Sequence, residues 1–290
     1  DAEGARATAK LADAALDRGE SWGPLHGLPI TIKDSFETAG VRTTAGSPTR
    51  SNHVPASDAD AVKRLRGAGA VILGKTNLPV FAGDVQSYNP VFGTTNNPWD
   101  ATRTPGGSSG GAAAALASGL SALELGSDIG GSIRTPCHWT GIFGHKPTHG
   151  IVPMRGHIPG PPGSLAEMDL AVAGPMARSA EDLDLALGIL AGPSEDRARA
   201  WQLALPPPRH SELRSYRVAA WLDDPHVSAA LTAVKRRATE GVSCLPNSNL
   251  ELDLGLDSME RVELLTELEQ QFAVDVPEEK VHEIFTLRQL

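Results

Sequence analysis

Two short stretches crowded with glycine and serine, TPGGSSGG at 104–111 and GSDIGGSIRTP at 126–136, place the tightest condition on how this chain folds. Glycines there let the backbone come close to its neighbours and take conformations that a Cβ would block. Such loops need regular elements around them, and these are readable. Residues 3–19 have the Ala-rich composition of a helix, and Leu28–Lys33 (LPITIK) reads as a strand. A second helix is expected over about 58–67 and a short buried strand at Ala70–Gly74. The first glycine-rich stretch leads into a helix at Ala112–Leu120, and 179–192, which begins Ser-Ala-Glu-Asp, reads as a capped helix. This alternation predicts an α/β core, a mixed β-sheet flanked by helices.

The chain changes character towards its end. Pro206-Pro207-Pro208 reads as a linker or surface turn, Tyr216–Leu222 as a further strand and Val227–Gly241 as a helix. Residues 244–290 then carry 11 acidic and 3 basic side chains, against 24 and 23 over residues 1–243. That asymmetry predicts two units of different origin, with the junction placed at 239/240. No basic stripe is available to meet phosphates, so nucleic-acid binding is disfavoured. With no apolar run of the ~18 residues that a membrane span needs and no signal peptide, the expectation is a cytoplasmic protein. Cys137 and Cys244 lie too far apart to form a ligand pattern. The chain opens at Asp1 inside a helical stretch and stops at Leu290 without a clear end, so both ends read as cuts.

The chemistry centres on Ser108 and Ser132, which stand 24 residues apart, and on Lys33, 75 residues before the first. A serine hydroxyl is a poor nucleophile until a neighbour takes its proton. A lysine can do so only when neutral, which requires burial or nearby cations, and Lys33 closes a hydrophobic strand. Competing readings exist. Serines in glycine-rich turns commonly cap helices or close turns, and glycine-rich loops before helices also bind phosphate. GGSSGG, however, lacks the lysine of a Walker-type loop, and no acidic pattern for a ribose follows it. His26, His138, His145 and His149 match no zinc spacing, so no metal is expected. Lys75 and Lys146 read as structural, while Tyr88, Phe92 and Trp139 are candidates for an acyl pocket, with plain packing as the competing role.

Taken in order, GPLHGLPITIKD (23–34), NNPWD (96–100), TPGGSSGG, LGSDIGGSIRTP and GHKPTHG resemble the amidase signature family over about residues 2–226. The resemblance implies that Ser132 is the nucleophile, Ser108 a bridging serine and Lys33 the final base of a Ser-Ser-Lys triad, with the Gly107–Ser108 bond cis. It further implies an oxyanion hole of backbone N–H groups at Ile129, Gly130 and Gly131. Asp34, Ser109, Asp128 and Arg134 take supporting places. The implied reaction is hydrolysis of a small-molecule amide, or an ester, through an acyl-enzyme, with no cofactor. Members of the family continue beyond the strand at Tyr216–Leu222, whereas here an acidic tail follows. The amidotransferase branch of the family, which works with partner subunits, is the alternative within it.

LELDLGLDSMERVELLTELEQQFAVDVPEEK, from residue 250, is similar to the acyl carrier protein family, the likeness covering about 244–290. It implies that Ser258 carries 4′-phosphopantetheine, with a phosphopantetheinyl transferase and acyl-transfer enzymes as partners. Ser258–Phe272 should form a helix with Met259, Val262, Leu265, Leu268 and Phe272 on one apolar face. Glu260, Glu263, Glu267 and Glu269 should form an acidic surface suited to basic partners. The simpler role is an acidic amphipathic helix with Asp257 at its cap. Two domains are expected, an amidase-signature domain over 1–239 and a carrier-like helical segment over 240–290.

Overall fold

The computed structural model describes residues 1–158, 168–217 and 258–272. The chain divides into two compact units, Asp1–Pro206 and Pro207–Leu290.

The first unit is built on a five-stranded mixed sheet. Its strands are β1 (Pro29–Lys33), β2 (Val71–Thr76), β5 (Leu123–Asp128), β6 (Phe143–Gly144) and β7 (Val172–Ala177), in the order β2-β1-β5-β7-β6. A separate two-stranded ribbon holds β3 (Tyr88–Asn89) and β4 (Gly93–Thr94). Strand β1 runs parallel to both β2 and β5, and β7 runs antiparallel to β5 and β6. The parallel neighbours require helical crossovers that cover the sheet, the helices at Gly110–Ala117 and Ala180–Leu190 also pack on β7, and β5 and β7 are buried along their whole length.

Alternation along β1 then decides the site. Ile30 and Ile32 join Leu123 and Leu125 in the main core, against α2 (Asp60–Gly67) and α5 (Ala180–Leu190). Each such fully buried side chain contributes roughly 1.5–3 kcal/mol. Thr31 and Lys33 occupy the alternate positions, towards α3 (Gly110–Ala117). That helix buries Gly110, Gly111, Ala112, Ala113 and Leu116. Small residues let it lie close to the sheet, where it shares a second cluster with Ile133, Cys137 and Met176. Helix α4 (Arg134–Thr140) ends at Gly141 in the left-handed conformation. Helix α1 (Ala2–Asp17) is capped by the Asp1 carboxylate, which accepts from the Gly4 N–H at 3.0 Å, and it buries Ala5, Ala12 and Ala15.

The expected α/β architecture is present, with extra elements. The expected strand at 70–74 runs two residues further, to Thr76. Strands β5 and β7 and helix α4 come from segments whose glycines or short length hide them. Tyr216 and Arg217 are described and lie in no strand, whereas the rest of the expected strand to Leu222 and the helix at 227–241 lie outside the described residues. In the second unit α6 spans Ser258–Phe272, the bounds expected from its sequence, with Leu264, Leu265 and Leu268 buried. Among the described residues no helix is long and apolar enough to cross a membrane.

Candidate active site

Lys33 ends β1 with no exposed surface. Its Nζ donates to Ser108 Oγ at 2.7 Å, Ser109 Oγ at 2.9 Å and Ser127 Oγ at 3.0 Å, with the Ser127 carbonyl at 3.5 Å. Burial pushes the Lys33 pKa down to about 7, against the opposing pull of Asp128 and Glu124. A lysine poised there has a large neutral fraction at neutral pH and can accept a proton. The Ser109 hydroxyl meets the Ser127 carbonyl at 3.3 Å, so its own proton is committed. With Ser109 and Ser127 accepting from the neutral amine, its lone pair is left for the Ser108 hydroxyl.

The bond between Gly107 and Ser108 is cis. Ser108 and Ser109 are buried, and the glycines around them are there because nothing larger fits. A Cβ at Gly107 would lie 2.7 Å from the Val85 carbonyl carbon, and one at Gly111 would strike the Asn77 backbone nitrogen. Ser87 braces the turn, its Oγ accepting from the Gly110 N–H at 2.9 Å and donating to the Gly106 carbonyl at 3.2 Å.

Ser132 sits on the second loop, which leaves β5 at Asp128. The Asp128 carboxylate gathers this loop around itself. It accepts from the N–H groups of Gly131 and Ile133 at 2.9 Å each and of Arg134 at 3.2 Å, and it pairs with the Arg134 guanidinium at 2.9 Å. Burial alone would raise the Asp128 pKa, but Arg134 and the three amides outweigh it and bring it down to about 2. Of the three amides expected in an oxyanion hole, that of Gly131 is therefore engaged by Asp128, while Ile129 and Gly130 are exposed at the strand end. The two loops are tied directly, the Ser109 N–H donating to the Ser132 carbonyl at 3.1 Å.

A small cleft opens where the loops meet. Ser108, Ser127, Asp128, Ile129, Ser132 and His157 line it, together with Phe81, Ala82, Met168 and Ala171. Lys33 and Ser108 are in direct contact, and Ser108 and Ser132 share the cleft wall. Three residues of the site escape a reading of the sequence. Ser127 holds Lys33 from a strand whose sequence reads only as a glycine-rich stretch. Glu124 is buried on the same sheet face, bonded to Thr31 and Thr76, and its pKa is pushed up by burial to about 8. His157 lies on the cleft wall although its sequence neighbours suggest only a loop.

Other candidates are placed elsewhere. Tyr88, Phe92 and Trp139 are 47%, 47% and 43% exposed and none lines the cleft, which corrects their candidacy for an acyl pocket. Phe92 instead lies beneath the Arg42 guanidinium, 4.9 Å from the ring centre. Asp34 accepts from the Thr44 N–H and hydroxyl and fixes the following loop. Lys75 bonds the Phe36 carbonyl and the Thr38 and Thr43 hydroxyls. His26 bridges the Trp22 N–H and the Ala12 carbonyl. Among the described residues no group of three His, Cys, Asp or Glu is arranged to hold a metal ion.

Known proteins resemble this arrangement and its sequence. A glutamyl-tRNA(Gln) amidotransferase subunit of Burkholderia pseudomallei is 50% identical over 192 residues, which cover 66% of this chain and 37% of that protein. Its counterpart in Carboxydothermus hydrogenoformans is 47% identical over 184 residues, covering 63% and 37%. The chain thus spans about 37% of the length of these curated relatives. A solved fatty acid amide hydrolase superimposes with a TM-score of 0.69 and 30% identity, over 81% of this chain and 43% of its own. The native peptide amidase of Stenotrophomonas maltophilia gives 0.64 and 30%, over 80% and 50%. A model described as phosphopantetheine attachment site matches residues 232–290. A model described as amidase matches residues 1–253, and on that match the chain belongs to the amidase family.

Proposed function

We propose that this chain carries the catalytic residues of a serine-dependent hydrolase that cleaves a carboxylic amide, or an ester, through an acyl-enzyme. The observation that supports it most is the fully buried Lys33 with its pKa about 7, 2.7 Å from Ser108 Oγ, on the cleft that Ser132 also lines. In this reading Ser132 attacks the amide carbonyl as its proton passes to Ser108, whose own proton passes to neutral Lys33. Collapse of the tetrahedral intermediate breaks the C–N bond, and the same relay delivers the proton to the leaving amine. Water then repeats the sequence and frees the acid. Of the amides at Ile129, Gly130 and Gly131, the first two stabilise the developing oxyanion, the Gly131 N–H being held by Asp128, and losing one such donor typically costs about 10²–10³ in rate. Ser109, Asp128 and Arg134 hold the two serine loops in place. A cytoplasmic location and a small-molecule amide fit this reading, which involves no metal.

Intact-mass spectrometry after a fluorophosphonate probe tests it. One adduct is expected, lost in Ser132→Ala. Folded protein that takes no adduct, or an adduct that persists in Ser132→Ala, would sink the reading.

The match over 232–290 supports a second role, in which Ser258 carries 4′-phosphopantetheine and the segment works with a phosphopantetheinyl transferase and acyl-transfer enzymes. Ser258 is the first residue of helix α6. Incubation with coenzyme A and a phosphopantetheinyl transferase should add one phosphopantetheine mass, absent in Ser258→Ala. The names of the curated relatives favour, as the alternative within the family, one component of an amidotransferase that works with partner subunits. Copurification of such partners would separate it from a free hydrolase.

A further inference from the structure

Lys33 is held by neutral partners. Its amine bonds the hydroxyls of Ser108, Ser109 and Ser127, and among the described residues no carboxylate touches it. Two acids lie near enough to pull on its charge, Asp128 and Glu124. Asp128 is already matched by the Arg134 guanidinium and three amides on the second loop. Glu124 is 1% exposed, and its oxygens accept from hydroxyls alone, those of Thr31 and, at 2.9 Å, of Thr76.

Strand pairing puts that carboxyl beside the lysine. Thr31 pairs with Glu124 on β5 and Lys33 with Thr76 on β2, and these two strands flank β1 on opposite sides. A carboxyl bonded to both threonines therefore crosses the face of β1 alongside the Lys33 stem. Lys75 on β2 also pulls on Glu124, but its amine is bonded to the Phe36 carbonyl and the Thr38 and Thr43 hydroxyls. Asp34 is bonded to Thr44, and His157, near Lys33, is kept neutral by burial, which pushes its pKa down to about 3. Helix α3, packed on this face, and strand β7, beside β5, carry no ionisable side chain.

Burial pushes Glu124 up to about 8 and Lys33 down to about 7, and each draws the other back towards its charged form. A base in a relay must also hold the proton that it takes. We infer that Glu124 is a positioning residue for the relay, whose buried carboxylate makes Lys33 basic enough to hold the Ser108 proton until the leaving amine receives it. Thr31 and Thr76 fix the carboxyl and stabilise its charge by hydrogen bonding. The effect on rate rests on the amide-hydrolase reading, whereas the effect on the Lys33 proton does not.

Glu124→Gln keeps the shape of the side chain and removes its charge. In the chain labelled with [ε-¹³C]lysine, the Lys33 signal is assigned by its loss in Lys33→Met. That signal should titrate about half a unit or more lower in Glu124→Gln. In amide kinetics the two chains should be nearly equal at about pH 6, where the carboxyl is protonated. Above about pH 8 the unsubstituted chain should lead by about threefold or more. A merely structural Glu124 would lower activity by the same factor at every pH. An unchanged Lys33 midpoint, or a rate ratio independent of pH, overturns the assignment. If Glu124→Gln does not fold, Thr31→Val, which keeps the carboxyl and removes one hydroxyl that stabilises its charge, should move the Lys33 midpoint in the same direction, and no movement overturns it. Absence of a probe adduct at Ser132, with the Lys33 midpoint still moved by Glu124→Gln, counts against hydrolysis and supports the Glu124 assignment.

Discussion

The two glycine–serine loops look alike in sequence and are opposite in setting. In the first, Ser108 and Ser109 are buried, and Gly107 and Gly111 stand where a Cβ would strike the backbone of Val85 and Asn77. In the second, Ile129 is 51% exposed, and a Cβ on Gly130 would meet nothing within 4 Å. Gly131 is needed for its backbone conformation, with φ +123°. Glycine therefore solves a packing problem on the base side and an access problem on the nucleophile side. One loop is locked into the core around a lysine, and the other is held open by a single carboxylate, Asp128. Catalysis of the proposed kind needs both, because burial is what lowers the Lys33 pKa and a substrate reaches only an open site.

That contrast is broken most severely by removing the partners that join the loops. Ser132→Ala and Lys33→Ala should each lower kcat/KM by about 10⁴-fold or more, and the double variant should be no worse than either alone. Steady-state kinetics with an amide that the unsubstituted chain turns over checks this, and additive losses would show that the two loops do not act as a unit. Next in size, Asp128→Asn replaces a charged acceptor of several hydrogen bonds and should cost about 1.5–3 kcal/mol of stability, read from urea denaturation. Packing comes third. Gly111→Ala should destabilise by about 1–3 kcal/mol, since the Asn77 backbone must move, whereas Gly130→Ala should stay within about 0.5 kcal/mol. Equal effects at the two glycines would erase the distinction between the loops.

The pH dependence sharpens it at the scale of one proton. Lys33 works as a base only when unprotonated, and its folded pKa lies below the value of a free lysine. Activity is thus gained as pH rises through about 7 and lost about tenfold per unit below it. Asp128, held near 2, adds no limb above about pH 4. A profile flat between pH 5.5 and 8 would mean that Lys33 is not the group that titrates.

Much of this site is legible in the sequence, for a physical reason. Lys33, Ser108 and Ser132 are chemically conspicuous and sit beside glycines, and the cis bond at Gly107–Ser108 follows from the family pattern that those residues carry. Residues whose role depends on the sheet are not legible. Ser127 reaches Lys33 only because β5 lies beside β1, and Glu124 enters the same face through the pairing of Thr31 with Glu124. Strand β5 itself is hidden by its glycine and by the glycine-rich loop that follows it, and β7 contains Pro175, which argues against a buried strand. His157 is brought to the cleft by a single bridge, which leaves no periodic trace. In the second unit the leucine spacing of α6 is sufficient, since its period is local and needs no partner strand.

The bond from the Ser109 N–H to the Ser132 carbonyl has a use beyond holding the loops together. Ser109 is fully buried, so its amide hydrogen can exchange with deuterium only when the two loops separate. That one amide is a gauge of how often the site comes apart. Its exchange rate, compared with those of the core strands β1 and β5, tells whether the site opens alone or only with the whole fold.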